Sequence, residues 1–153
     1  MSWLGVDVGG PRKGFDVALI DDSSVLALVR HDLDAVVALA RSARPRVIGI
    51  DSPRSCAPPG ETSRADERAL ARAVCGIRWT PDRLVGPYYE WVVEGLRLYD
   101  ALAGHEVVEV FPTAWSRGEC EAFGAIVVPA VNPGRGRNST LNAQCRLSRG
   151  MRG

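Results

Sequence analysis

The sequence predicts an α/β protein built on a mixed β-sheet. Three observations predict it: a strand–turn–strand pattern opens the chain, helical and strand patterns then alternate, and one acid occurs in each of the apolar runs Leu4–Gly10, Val47–Asp51 and Val107–Phe111. Alternation of this kind is typical of a sheet with helices packed on its faces. The three acids are Asp7, Asp51 and Glu109.

The first part of the chain is expected to form a three-stranded meander followed by a helix. The predicted strands are residues 3–8, 15–20 and 25–30. Glycines and aspartates between these runs are typical turn residues, as in Gly9–Gly14. Asp32 is a candidate N-cap for a helix over Leu33–Ala43, whose apolar residues recur at helical spacing.

The second part is expected to alternate between strands and helices. Its predicted elements are a strand at 46–51, a helix at 65–74, a helix at 88–103 and a strand at 105–111. Ser63 and Asp66 have the spacing of a capping pattern for the first of these helices. The proline-rich segment 52–60 is predicted to be a loop, because proline lacks a backbone donor.

The three acids are predicted to share a site. Burying an unpaired carboxylate is costly, so an acid within an apolar strand usually has a partner or a function. Asp7, Asp51 and Glu109 lie near the ends of their predicted strands. If those strands are parallel and adjacent, their carboxyl ends bring the three acids to one edge of the sheet, where binding sites of such folds collect.

Each acid also has a structural interpretation. Asp7 is a candidate to cap the Gly9–Gly14 turn through its side chain. Asp51 is followed by Ser52 and Pro53 and has the context of an ordinary turn acid. Glu109 is compatible with the wet face of an edge strand. Aromatic residues have two interpretations as well, base stacking or core packing; these are Trp79, Tyr88, Tyr89 and Trp91.

Composition narrows the class of protein. A chain of 153 residues with 46% hydrophobic residues suits one globular domain with a core. It has no apolar run of about 18 residues and no secretory signal pattern, so we expect no membrane span and a cytoplasmic location. Its four cysteines lack C-x-x-C spacing. We therefore expect reduced thiols and no zinc site.

Charge divides the chain into two regions. No acid follows Glu121, whereas five arginines do. We expect a domain over residues 1–121 and a basic, poorly ordered tail over residues 122–153. A basic tail is also able to contact a nucleic-acid backbone.

Four motifs in order resemble those of a known family. They are Gly5-Val6-Asp7, Ile50-Asp51-Ser52-Pro53, the segment from Arg64-Ala65-Asp66-Glu67-Arg68 to Gly76-Ile77-Arg78-Trp79-Thr80-Pro81, and Glu109-Val110-Phe111-Pro112. Together they resemble a bacterial and archaeal family of predicted nucleases, a domain of unknown function with a ribonuclease H-like fold. The resemblance covers about residues 3–117.

The resemblance implies a ribonuclease H-like mixed sheet and a metal-dependent nuclease. Asp7, Asp51 and Glu109 match the acids that would hold two Mg²⁺ or Mn²⁺ ions, with Asp7 bridging both, for hydrolysis of a phosphodiester bond. Nucleic acid is then the expected partner. The basic residues expected to neutralise its phosphates are Arg12, Lys13, Arg54, Arg64 and Arg68.

The C-terminal part departs from that pattern. Nucleases of this fold usually take a further metal ligand from a C-terminal helix, and no acid follows Glu121. Asp66 and Glu67 are candidates to replace it. A truncated, shifted or divergent C-terminal part would explain the departure. Two other functions stay open: a catalytically degenerate binding module of the same fold, and a fragment of an actin-like ATP-dependent phosphotransferase.

Overall fold

The computed structural model describes residues 1–73 and 76–112. In chain order the elements are β1 (Ser2–Val8), β2 (Phe15–Asp21), β3 (Val25–His31), α1 (Leu33–Ala43), β4 (Val47–Asp51), α2 (Ala65–Ala73), a 3-10 turn (Pro87–Tyr89), α3 (Glu90–Ala101) and β5 (Val107–Glu109). This order confirms the predicted α/β class and the meander. No helix in the described segments has the length and apolar character that a membrane crossing requires.

The described residues divide into two compact units. The first contains Met1–Arg54 together with the described chain from Glu90 onward, and the second contains Ser55–Tyr89. The sheet, α1 and α3 therefore belong to the first unit, and α2 and the 3-10 turn belong to the second. The tail predicted over residues 122–153 lies outside the described residues.

The sheet is mixed and has the strand order β3-β2-β1-β4-β5. Strand β2 pairs antiparallel with both β1 and β3, as a meander requires. Strand β4 pairs in parallel with both β1 and β5. The hypothesis that the first, fourth and fifth strands are parallel and adjacent is confirmed, so their carboxyl ends lie at the same edge of the sheet.

Alternation along β1 and β4 gives the sheet two different faces. Leu4 and Val6 on β1, with Ile48 and Ile50 on β4, are at most 3% exposed and belong to one apolar cluster. Helices α1 and α3 contribute to that cluster through Val36, Ala40, Leu98 and Leu102. Because side chains alternate along a strand, Asp7 and Asp51 lie on the opposite face from these core residues.

Helix α1 has the predicted bounds because both of its ends are capped. The Asp32 carboxylate accepts a hydrogen bond from the Ala35 backbone N–H at 2.8 Å, as an N-cap does. At the other end Arg44 adopts a left-handed conformation and donates its N–H to the Ala40 carbonyl. These local contacts explain why sequence signals alone located this helix.

Three other elements differ from expectation. Helix α3 begins at Glu90 rather than at residue 88, after the 3-10 turn. Strand β5 is shorter than predicted and ends at Glu109. At α2 the capping acid is Glu67 rather than Asp66, since Glu67 Oε2 accepts the Arg64 backbone N–H at 3.1 Å. Helix α2 begins at Ala65, so Glu67 occupies the third helical position that a capping box requires.

Candidate functional site

Asp7 and Asp51 lie side by side at the carboxyl ends of two parallel strands. They are direct register partners of β1 and β4. Neighbouring strands are about 4.8 Å apart, and register partners in a parallel pair point to the same face. Asp7 is exposed, and Asp51 is intermediate in exposure. The structure therefore brings two of the three predicted acids together on one face of the sheet.

The environment of Asp51 favours its protonated form. Its pKa is raised from the ordinary value of 3.8 to about 6, first by burial and then by the negative charges of Asp7 and Glu109. Removal from water and like charges both disfavour a carboxylate. A divalent cation would have the opposite effect and would stabilise the charged pair. Among the described residues, the causes of the pKa shift at Asp51 are burial and two negative charges.

Glu109 reaches the same end of the sheet from the other face. It is the register partner of Ile50, which faces the core, and it is 6% exposed. Its Oε2 accepts a hydrogen bond from the Arg54 backbone N–H at 3.0 Å. Its charge contributes to the raised pKa of Asp51. Glu109 is thus near the Asp7–Asp51 pair, although strand alternation directs it to the opposite side of the sheet.

The described residues do not form a complete metal centre. Across residues 1–73 and 76–112, no group of three or more histidine, cysteine, aspartate or glutamate side chains is arranged to hold one metal ion. Two adjacent carboxylates still supply the hard oxygen ligands that Mg²⁺ and Mn²⁺ prefer. A metal site held by Asp7, Asp51 and Glu109 stays a prediction.

The turn after Asp7 is closed by its own backbone. Gly9 donates its N–H to the Gly14 carbonyl at 2.9 Å, and Gly14 donates to the Gly10 carbonyl at 2.9 Å. Gly14 has a φ of 72°, and a Cβ there would lie 2.5 Å from the His31 carbonyl oxygen. Within the described part of the chain, no hydrogen bond joins the Asp7 carboxylate to this turn. The alternative interpretation of Asp7 as a turn cap therefore has no support.

Two predicted phosphate-binding residues lie in that turn. Arg12 and Lys13 are exposed, at the tip that joins β1 to β2. This tip directly follows the end of β1 that carries Asp7. Arg12 and Lys13 are therefore close to Asp7 in sequence. Their exposure leaves them accessible to a phosphate, and phosphate binding by them stays a prediction.

Arg54 organises the loop that follows β4. Its guanidinium Nη1 donates to the Val107 carbonyl at 3.0 Å and lies 5.7 Å from the centre of the Tyr99 ring. Tyr99 in turn donates its hydroxyl to the Ser52 carbonyl at 2.9 Å. Together with the bond from the Arg54 N–H to Glu109, these contacts connect β4, β5 and α3. Arg54 therefore positions Glu109, and a phosphate contact by Arg54 stays a prediction.

Arg64 and Arg68 belong to the second unit and contact acids within it. Arg64 is 5% exposed, and its Nε donates to Glu67 Oε1 at 3.0 Å. Arg68 donates to Glu61 Oε2 at 2.9 Å and to the Ser63 carbonyl. Buried guanidinium groups require such partners. The structure therefore shows Arg64 in a buried ion pair and Arg68 in a partly exposed one, and their predicted contact with phosphate stays a prediction.

A third acid, Asp16, lies in one row with Asp7 and Asp51 on the sheet, and the sequence did not predict it. Asp16 is the antiparallel register partner of Asp7, and it is exposed. Register partners share a face, so Asp16, Asp7 and Asp51 follow one another across β2, β1 and β4. Asp16 could have been predicted from the length of the turn between β1 and β2. The length of that turn sets the register of the hairpin and hence which residue is paired with Asp7.

The cysteine prediction was wrong at one position. Cys56 is disulfide-bonded. Every other cysteine lies outside the described residues. Spacing did not reveal this bond, because a disulfide requires a specific separation of the two Cα atoms that the fold sets.

Similarity searches leave the family unassigned. The chain matches no protein-family model and no curated protein.

Proposed function

We propose that this protein is a metal-dependent hydrolase of phosphodiester bonds with a ribonuclease H-like fold. The observation that carries the proposal is the register pairing of Asp7 with Asp51 on two parallel strands. A three-stranded meander followed by two parallel strands is the arrangement that the sequence resemblance implied. The site lies at the carboxyl edge of those strands, where α/β sheets collect binding residues.

The donor set fits a hard divalent cation. Asp7 and Asp51 present neighbouring carboxylates, and burial together with the charges of Asp7 and Glu109 raises the pKa of Asp51 to about 6. These two residues would hold Mg²⁺ or Mn²⁺, and Glu109 would add negative charge from the end of β5. The bound metal would activate a water molecule and stabilise the leaving oxygen. Exposed Arg12 and Lys13 would hold the phosphate backbone.

A second function is favoured by the contacts of Glu109. One of its carboxylate oxygens already accepts the Arg54 N–H, and its register partner is a core residue. A site left with only two free carboxylates would bind metal weakly. The alternative is therefore a binding module of the same fold, which contacts nucleic acid without cleaving it.

Metal binding by the intact protein tests the metal site on which the proposed hydrolase depends. Mn²⁺ would be titrated into the intact protein and into Asp7→Asn, with free Mn²⁺ followed by electron paramagnetic resonance. We expect the intact protein to bind Mn²⁺ and Asp7→Asn to bind it at least about tenfold more weakly. Asp34→Asn is the matched control, because Asp34 is an exposed acid in the first turn of α1.

Cleavage is tested in the same preparations. A labelled single-stranded oligonucleotide should be cut in the presence of Mn²⁺ by the intact protein and by Asp34→Asn, but not by Asp7→Asn or Asp51→Asn. Metal binding without cleavage would favour the binding module. Equal Mn²⁺ binding by the intact protein and Asp7→Asn would contradict both the metal site and the proposed hydrolase.

A further inference from the structure

The second unit exposes two large aromatic side chains in the segment 76–89. Trp79 is 44% exposed and Tyr88 is 43% exposed. Tryptophan is highly buried on average and tyrosine is intermediate, so an exposed tryptophan in the same short segment as an exposed tyrosine is a candidate for a function. Clustered exposed apolar surface is a feature of interaction sites.

The backbone beside Trp79 is firmly held. Thr80 is 3% exposed and donates its N–H to Glu67 Oε2 at 3.0 Å. Asp82 donates its N–H to the Glu61 carbonyl at 3.1 Å, and the Asp82 carboxylate accepts the Gly60 N–H at 2.9 Å. Trp79 is therefore exposed on an anchored backbone and loses little conformational freedom when a ligand binds.

An arginine is stacked on the second ring. The guanidinium carbon of Arg78 lies 4.7 Å from the centre of the Tyr88 ring. The Tyr88 and Tyr89 rings are nearly perpendicular, with an interplanar angle of 82° and ring centres 5.0 Å apart. A guanidinium held over an aromatic face is preorganised, and it keeps its N–H donors at the ring edge for an anion.

Charge in this segment favours an anionic partner. Residues 76–89 contain two arginines, Arg78 and Arg83, and a single acid, Asp82. Both arginines are exposed, whereas the Asp82 carboxylate accepts a hydrogen bond from Gly60. We use the name aromatic–arginine surface for the exposed residues Arg78, Trp79, Arg83 and Tyr88 of this segment, of which Arg78 and Tyr88 are in contact.

We propose that the aromatic–arginine surface binds single-stranded nucleic acid. Exposed rings stack on unpaired bases, and arginines contact the phosphates between them. Bases in a duplex are already stacked on each other, so they cannot use these rings. Single-stranded nucleic acid would then be the polymer that the proposed hydrolase binds. The biological role of this surface rests on that proposed function.

The test is binding in the absence of metal. Fluorescence anisotropy of a labelled oligothymidylate of about 16 nucleotides would be measured with the intact protein in EDTA. Tyr88→Leu and Trp79→Leu are each expected to raise the dissociation constant about tenfold, the loss of one stacked base. Tyr88→Phe retains the ring and is expected to bind like the intact protein.

The arginine contribution has its own matched pair. Arg78→Ala is expected to weaken binding and to reduce its dependence on salt, because one phosphate contact is lost. Arg41→Ala is the control, since Arg41 is an exposed arginine in the last turn of α1. Circular dichroism of every variant checks that the fold is retained.

Three results would overturn the inference. They are no binding by the intact protein, equal affinity for the matching duplex, or unchanged affinity in the folded Tyr88→Leu and Trp79→Leu variants. If the Tyr88→Leu and Trp79→Leu variants differ from the intact protein in sedimentation but bind the oligonucleotide equally well, the surface is an interface between protein chains and the inference is wrong. Because EDTA is present throughout, failure of the Asp7 metal site leaves this result unaffected.

Discussion

Asp7 and Asp51 are register partners on the adjacent parallel strands β1 and β4, and their side chains lie on the face of the sheet opposite the apolar core. Two carboxylates at this separation repel each other, and partial burial of Asp51 adds to the cost of its charge. A proton or a cation relieves that cost. The electrostatics of the pair are therefore the most direct way to examine the site.

Removing the charge of Asp7 should lower the pKa of Asp51 without restoring its ordinary value. Burial is the larger cause of the shift to about 6, and the Asp7 charge is the second cause. We expect Asp7→Asn to lower the Asp51 pKa by less than one unit, followed by carboxyl ¹³C chemical shifts in metal-free protein. Asp16→Asn is the matched control, because Asp16 is in the same row but is not among the causes. A shift of Asp51 in the control alone would contradict this assignment.

The raised pKa of Asp51 also predicts how stability depends on pH. The folded protein binds the proton of the Asp51 carboxyl more tightly than the unfolded chain does. The contribution of this proton to the free energy of unfolding is therefore full below about pH 3.8 and is lost as pH rises to about 6. Asp51→Asn should therefore be more stable than the intact metal-free protein at pH 7.5, by roughly 1–2 kcal/mol after allowance for solvent screening. Urea denaturation at pH 4 and pH 7.5 measures the difference, which should narrow at the lower pH. A difference that widens at pH 4 would refute the sign.

Gly95 allows α3 to pack closely against the residue after β4. A Cβ at Gly95 would lie 2.6 Å from the Ser52 Cβ and closer still to the Ser52 hydroxyl. Ser52 is 2% exposed, so it has no free space to move into. We expect Gly95→Ala to lower the free energy of unfolding by about 1–3 kcal/mol, measured by urea denaturation. Gly76→Ala is the control, since no atom lies within 4 Å of a Cβ there.

The Ser52 hydroxyl should contribute little to stability. Its Oγ is buried and has no hydrogen-bond partner among the described residues. A buried polar group without a partner costs free energy, so Ser52→Ala should be neutral or stabilising by up to about 1 kcal/mol. Thermal unfolding of the metal-free protein provides the comparison. Marked destabilisation by Ser52→Ala would mean that the hydroxyl has a partner.

Glu67 is the buried centre of the second unit. It is 1% exposed and accepts hydrogen bonds from the Arg64 backbone and guanidinium and from the Thr80 N–H. Glu67→Ala would remove the acceptor of these three buried hydrogen bonds and one ion-pair partner of Arg64. Glu67→Ala should therefore cost about 3–5 kcal/mol and raise amide hydrogen exchange in the second unit.

The neighbouring acid is the control for Glu67. Asp66 lies in the same first turn of α2, but it is exposed. Asp66→Asn should change stability by less than about 0.5 kcal/mol. Hydrogen exchange followed by mass spectrometry compares the two variants. Equal increases in exchange in the second unit would show that the buried contacts of Glu67 do not stabilise it.

Local signals explain why much of the fold was predictable. The Asp32 cap and the left-handed Arg44 bound α1, and glycines closed the first turn. The end of β5 and the start of α3 were less predictable. Strand pairing sets the end of β5, and the 3-10 turn that begins at Pro87 sets the start of α3. The spacing of hydrophobic residues predicts neither boundary.

By itself the sequence determined the order of strands and helices and placed Asp7, Asp51 and Glu109 near the ends of their strands, because capping, turn chemistry and apolar periodicity act between residues close in the chain. Only the tertiary structure decided which carboxylates share a face. It paired Asp7 with Asp51 and Asp16, turned Glu109 toward the core side, and placed Glu67 at a buried centre. Strand register and burial depend on contacts between distant segments, and a one-residue change in register moves a side chain to the other face of the sheet.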